Sequence, residues 1–244
     1  MTRNRYLILN GNTNTAMTQS MVRLAADWFG DDGEVRGLSA ASGYPYINTR
    51  EHCVAACDAV QELLQQPIAD VDLAIVGCFG LPDIERLRAS APYPLIDMLE
   101  SGVRAARQLS DRFVILTAGQ QWPGMLHQEL ERRGLMGGCI GIRALDQLAL
   151  DPLSERDALI ETMADQVKEA VEALQPGAVL IGGAAFAGIG TELQAQFEIP
   201  VIDSFQATLA LAETLLSMQH AGIDWQEGFR SPRPGRDRKV DGTI

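Results

Sequence analysis

Three segments of the chain recur in the same order at a nearly constant spacing. Arg5-Tyr-Leu-Ile-Leu-Asn10 matches Arg112-Phe-Val-Ile-Leu-Thr117 at a spacing of 107 residues, and Leu73-Ala-Ile-Val-Gly-Cys78 matches Ala178-Val-Leu-Ile-Gly-Gly183 at 105. Pro94-Leu-Ile-Asp97 matches Pro200-Val-Ile-Asp203 at 106. One such match between apolar strands would mean little, but three in order require two copies of one structural plan. The chain therefore divides into a first half, 1–110, a second half, 111–222, and a polar tail, 223–244.

Short apolar runs alternate with longer stretches of helical period, which is the rhythm of an α/β protein. Strands are expected at Tyr6–Leu9, Val35–Leu38, Leu73–Cys78, Leu95–Ile96, Phe113–Thr117, Cys139–Leu145, Val179–Gly182 and Val201–Ile202. Helices are expected near Thr15–Phe29, Asn48–Gln65, Ile84–Ala89, Leu99–Leu109, Pro123–Arg133, Ser154–Leu174, Ile189–Gln196 and Phe205–Gln219. Near-continuous apolar strands joined by helical crossovers imply parallel sheets covered on both faces. After Gly222 the pattern stops. Ser231-Pro-Arg-Pro-Gly-Arg-Asp-Arg-Lys239 reads as a solvated tail, with an arm contacting a second subunit of a homo-oligomer as the alternative.

Composition narrows the partners. The formal net charge of −12 repels polyanions and argues against nucleic acid. No apolar run approaches the ~20 residues of a membrane helix, and Met1 to Arg5 leads straight into a strand, so the chain reads as a soluble cytoplasmic protein with no membrane partner. Four cysteines in 244 residues show no secreted-type disulfide framework, and three scattered histidines (His52, His127, His220) make a metal site hard to assemble. No metal is expected.

In parallel sheets, chemistry collects in the loops beyond the carboxyl ends of the strands. Here those are Asn10-Gly-Asn-Thr-Asn14 with Thr117-Ala-Gly-Gln-Gln121, and Cys78-Phe-Gly-Leu81 with Gly183-Ala-Ala-Phe186. Two readings of Cys78 stand side by side. With Pro82 opening a helix, backbone N–H groups would lower the thiol pKa and make Cys78 an acid, base or nucleophile. The plainer reading is a buried thiol acting as a small apolar residue. Cys53 and Cys57 share a helical stripe with Val60 and Leu64 and are assigned to the core, as is Cys139. Gly183 and Gly188 do not form a phosphate loop, because Ile189-Gly190 stands where Lys and Ser or Thr are required. His127 is assigned to an exposed helix face.

The loops carry a resemblance. Leu9-Asn-Gly-Asn-Thr13, Val76-Gly-Cys-Phe-Gly80, Thr117 through Trp122-Pro-Gly-Met-Leu126, Val179-Leu-Ile-Gly-Gly-Ala184 and Ile199-Pro-Val-Ile-Asp203 together resemble the aspartate/glutamate/hydantoin racemase superfamily, closest to its hydantoin and allantoin racemase branch. The resemblance implies two Rossmann-like halves related by a pseudo-twofold axis, with the active site in the cleft between them. It also implies no metal or organic cofactor, and a small-molecule substrate that is a carboxylate or hydantoin-like compound. Its racemases carry a cysteine on each face of the substrate carbon; the first aligns with Cys78 and the second with Gly183. The resemblance thus assigns Cys78 as the catalytic acid/base, with Asn12, Thr13, Phe79, Gly80, Thr117, Gly119, Gly183 and Ala184 binding substrate.

The missing second thiol divides the functional readings. Inverting a stereocentre needs an acid or base on both faces, or a single base that can visit both. The first reading is a cofactor-independent racemase or isomerase acting at a carbon next to a carboxylate or cyclic imide carbonyl, with an amino-acid or hydantoin-type substrate. The alternatives are a one-cysteine decarboxylase or lyase resembling arylmalonate decarboxylase, in which protonation is one-sided, and a non-catalytic ligand-binding homologue. Gly11 and Leu81-Pro82 also depart from the family's usual Asn-Pro-Asn-Thr and Cys-Phe-Gly-Asp-Pro.

Overall fold

Tyr6 and Ile8 point into one apolar cluster while Leu7 and Leu9 point into another, so the first strand is buried on both faces. Leu73 and Ile75 repeat this against Ala74 and Val76, and in the second half Phe113 and Ile115 face away from Val114 and Leu116. That two-sided burial is the physical basis for helices on both faces of each sheet.

The computed structural model describes residues 3–145 and 155–226. The first half runs β1 (Asn4–Asn10), α1 (Thr15–Phe29), β2 (Gly33–Ser39), α2 (Arg50–Leu64), β3 (Leu73–Val76), α3 (Ile84–Ser90), β4 (Leu95–Asp97) and α4 (Met98–Leu109). The second runs β5 (Phe113–Ala118), α5 (Trp122–Arg132), β6 (Cys139–Leu145), α6 (Arg156–Leu174), β7 (Ala178–Gly182), α7 (Gly190–Gln194), β8 (Val201–Asp203) and α8 (Ser204–His220). Two four-stranded sheets result, ordered β2-β1-β3-β4 and β6-β5-β7-β8, with every pair parallel. The same order in both sheets is the structural form of the repeated segments.

The halves share a core. One cluster joins Ile8, Ile75 and Leu99 of the first half to Ile115, Leu180 and Leu209 of the second. Helix α4 packs on β7 as well as on its own strand, and α8 packs on β3 and β4. At the α4 crossing, a Cβ on Gly102 would stand 2.8 Å from Leu180 Cδ1 and 3.3 Å from Ser204 Cβ, so a side chain there would push the helix off the sheet. Outer clusters, one per half, hold α2 and α3 on the first sheet and α6 and α7 on the second.

Two sequence expectations shift. Strand β3 ends at Val76 rather than Cys78, and although α3 begins at Ile84 as anticipated, an Asp83 in the left-handed region (φ 55°) precedes it, so Pro82 stands outside the helix and Cys78 lies in a turn. Trp225, within the segment assigned to the tail, is buried against the shared core. Ser154 and the stretch Ser231–Lys239 lie outside the described residues. Among the described residues no helix is long and apolar enough to cross a membrane.

Candidate active site

The loop after β1 is built from asparagines that satisfy one another. Asn10 Nδ2 donates to Asn12 Oδ1 (2.9 Å) and Thr18 Oγ1 (2.8 Å), and Asn14 N–H donates to Asn12 Oδ1 (2.9 Å). Asn14 then caps α1 by accepting from Met17 N–H (3.0 Å). The Asn12 carbonyl is thereby occupied on both sides, whereas among the described residues its amide nitrogen has only the weak acceptor Met17 Sδ at 3.6 Å. Asn12 is thus a fixed donor at the wall of a cavity of about 70 Å³.

Loops from both halves close that cavity. Cys78 and Phe79 come from the loop after β3, Thr117 and Ala118 from β5, and Gly183 through Phe186 from the loop after β7. The facing is tight: a Cβ on Gly182 would lie 2.2 Å from the Phe79 ring, so only glycine lets the first-half loop sit on β7. Thr117 is buried, and among the described residues its hydroxyl makes no hydrogen bond. Asn12, Cys78, Phe79, Thr117, Gly183 and Ala184 are therefore brought together as the sequence anticipates. Thr13, Gly80 and Gly119 sit behind the wall: Thr13 N–H donates to Tyr44 O (3.0 Å), Gly80 backs onto Leu126, and Gly119 backs onto Trp122.

A further wall comes from the loop between β2 and α2, which the sequence reading passed over. Tyr46, Ile47 and Asn48 line the cavity. The loop is tied down by Trp122 Nε1 donating to Ile47 O (2.9 Å), by Asn48 N–H donating to His52 Nδ1 (3.2 Å), and by Tyr44 stacking on His52 with ring centroids 3.8 Å apart. The available signal was topological, since this loop also leaves the carboxyl end of a parallel strand. Trp122, the first residue of α5, completes the wall, while His127 stays exposed beside Glu131 as expected.

The electrostatics reverse one expectation. Cys78 is 6% exposed, and burial pushes its thiol well above the ordinary range. Cys53, Cys57 and Asp97 push it the same way, against a smaller opposing effect of the Phe79 N–H. The acidifying helix start anticipated at Pro82 is absent because Pro82 stands outside α3. Among the described residues no Asp, Glu, Lys, Arg or His lines the cavity, and Cys78 and Tyr46 are the two lining side chains that carry a thiol or phenol proton. Among the described residues no group of three or more His, Cys, Asp and Glu side chains is placed to hold a metal ion.

Gly183, at the position equivalent to Cys78, adopts φ 139° and ψ 137°, a conformation L-residues avoid, and a Cβ there would stand 3.3 Å from Phe186 Cδ2. The glycine thus has a local backbone reason, and the second face of the cavity receives no side chain from it.

Comparison with known proteins places this geometry. Residues 7–212 match the family described as Asp/Glu/Hydantoin racemase. A hydantoin racemase from Pseudomonas sp. (strain NS671) is 26% identical over 212 residues, covering 86% of this chain and 85% of the relative. The crystal structure of an allantoin racemase from Pseudomonas fluorescens is similar with a TM-score of 0.83, 22% identity, and coverage of 98% of this chain and 100% of the other. An allantoin racemase from Klebsiella pneumoniae is similar with a TM-score of 0.81, 24% identity, and coverage of 88% and 89%. At these identities the structural matches speak for the fold.

Proposed function

The chain belongs to the Asp/Glu/hydantoin racemase family, and from that premise we propose that it is a racemase or isomerase that moves a proton at the carbon beside a carboxylate or cyclic imide carbonyl, with Cys78 as acid/base. The observation that carries this reading is the cavity: a buried thiol from one half faces loops of the other in a space where none of the described lining residues is charged. A substrate carboxylate would find no cation among the described lining residues, so the lining favours a neutral imide ring of the hydantoin type over a free amino acid. The Asn12 amide and Thr117 hydroxyl are donors for the carbonyl oxygen on which charge develops as the proton leaves. Removing one such donor costs on the order of 10² to 10³ in rate.

Racemisation requires a proton on the second face. Tyr46 supplies it in this reading, being the other titratable group of the cavity and lining it together with Ala184 and Ala185, next to Gly183. In one direction the Tyr46 oxygen, as phenolate, takes the proton from the reacting carbon while the Cys78 thiol delivers one to the opposite face; the phenol and thiolate left behind run the reverse direction. Proton transfer between side chains and substrate needs no electron carrier.

The test is deuterium incorporation with chiral analysis on single enantiomers of 5-substituted hydantoins. Wild type is expected to place deuterium at the stereocentre of both product enantiomers. Tyr46→Phe is expected to lose inversion, and Cys78→Ala to lose all exchange. A second reading, one-sided protonation in a decarboxylase or lyase, is favoured by the absent side chain at Gly183. It would be supported by a single product enantiomer from an arylmalonate. No exchange and no product with any member of the panel would overturn the enzymatic reading in favour of a binding protein.

A further inference from the structure

The reaction cavity adjoins a second, larger one of about 250 Å³, with which it shares Met17, Tyr46, Ala184 and Ala185. Beyond these residues the second cavity is lined by Asn14 and α1, by Ala187, and by Arg156 at the start of α6. Ala16, Gln19, Ser20 and Arg23 recur at three- and four-residue spacing, so α1 turns all four to the same side.

The two cavities differ in charge. Among the described residues the reaction cavity has no charged lining residue, whereas the second has two arginines and no carboxylate. Arg156 is committed, donating through Nη2 to Gly188 O (2.7 Å) and Glu192 Oε1 (2.7 Å). Arg23 makes no hydrogen bond or ion pair among the described residues. Arg5, Arg88, Arg132 and Arg133 are each held by carboxylates, as suits a chain of net charge −12, whereas Arg23 lines the cavity that adjoins the buried thiol's with its guanidinium uncommitted among the described residues.

We propose that Arg23 forms an anion subsite, and that the preferred substrate is a neutral imide ring whose side chain, borne on the reacting carbon, ends in a carboxylate. The ring occupies the uncharged cavity beside Cys78, and the side chain passes Met17 and Tyr46 into the second. There the planar guanidinium matches a carboxylate in shape and charge. The substrate class rests on the imide reading above, while the anion preference rests on the second cavity.

The experiment compares a hydantoin bearing a carboxyethyl group on the reacting carbon with its carboxamide, in wild type and Arg23→Gln. Racemisation is followed by polarimetry and binding by calorimetry. Arg23 is exposed, so the variant is expected to fold normally, which circular dichroism checks. The acid is expected to bind more tightly than the amide, and Arg23→Gln to lower its affinity and kcat/KM by about fivefold while leaving the amide unchanged. Added salt should erode the preference. Equal affinity for acid and amide, equal losses in the variant, or no binding of either would overturn the subsite. If the acid binds in an Arg23-dependent way but neither compound is racemised, the subsite stands and the catalytic reading fails.

Discussion

Asp97 and Asp203 stand 106 residues apart at the same point of their two sheets, yet arginines clasp the first carboxylate while, among the described residues, backbone N–H groups alone hold the second. Arg133, just past α5, grips Asp97 with both nitrogens (3.0 and 2.7 Å), and Arg88 adds a contact of 2.9 Å. Glu100 accepts from both arginines as well. Asp203 instead accepts from Gly188 N–H (2.6 Å), Phe205 N–H (2.7 Å) and Gln206 N–H (3.2 Å). The duplicated carboxylate keeps its helix-capping role in both halves, and only the first also pins the second half to its own.

Asp97→Asn should therefore destabilise far more than Asp203→Asn. The amide keeps the cap in both cases, but at position 97 it leaves Arg88 and Arg133 short of a buried partner, a loss of about 3–5 kcal/mol. Asp203→Asn removes a charge that burial already disfavours and disturbs one backbone contact, at about 1 kcal/mol. Urea melts measure both; equal losses would show that the arginine cluster contributes nothing particular.

The same pair gives opposite pH dependences. Arg133 and Arg88 hold the Asp97 carboxyl well below the usual range despite its burial. Its stabilising contribution is therefore full above the ordinary carboxylate pKa and fades as pH falls through the folded value. Burial raises Asp203 despite its N–H partners, so its ionisation penalises the fold at neutral pH, and stability is regained as pH falls through the raised value. Between about pH 7 and about pH 4, Asp203→Asn should flatten a rise in Tm seen in wild type. At lower pH, Asp97→Asn should blunt the subsequent fall. Identical Tm profiles in wild type and both variants would contradict this.

How far these features were legible in the sequence depends on their range. Strand and helix positions came out within about two residues because apolar period is local and both faces of each strand are covered, as at Leu7 and Ile8. The Asn12, Cys78, Thr117 and Gly183 loops were legible because a parallel sheet places its chemistry at one end. The Arg133–Asp97 clasp was not, since it joins residues of different halves with no motif between them. Nor was the Cys78 environment: whether a turn precedes a helix by one residue or by several decides between acidifying N–H groups and desolvation, and the left-handed Asp83 keeps Pro82 out of the helix that starts at Ile84.

Cys78→Ser should keep the fold and lose turnover by about 10² to 10⁴, because a hydroxyl cannot replace a thiol in proton exchange near neutrality. Since burial raises the thiol in the free protein, its alkylation should be slow at neutral pH and climb into the alkaline range. Fast, selective alkylation of Cys78 near pH 7 would show that the N–H groups of its turn outweigh desolvation.

Cys53→Ala should change stability more than catalysis. Cys53 packs on α2 with its sulfur 4.0 Å from Met125 Sδ, and burial pushes its thiol up to about 11. The lost volume should cost about 1 kcal/mol, with kcat/KM within a few-fold of wild type. A larger fall in kcat/KM than in stability would bring Cys53 into the reaction.

Gly183→Cys asks whether a second thiol can be restored by substitution alone. Its φ of 139° strains any L side chain, at a cost of about 1–3 kcal/mol, and its Cβ would stand 3.3 Å from the Phe186 ring. The loop must rearrange before the new sulfur could face a substrate, and in the proposed mechanism Tyr46 already serves that face. The variant is therefore expected to melt at lower temperature and to racemise no faster than wild type, with deuterium incorporation into both enantiomers unchanged in ratio. A rise in racemisation of tenfold or more would mean that the second face was lacking an acid/base, removing Tyr46 from the mechanism and leaving Cys78 as the single proton donor of a one-sided reaction.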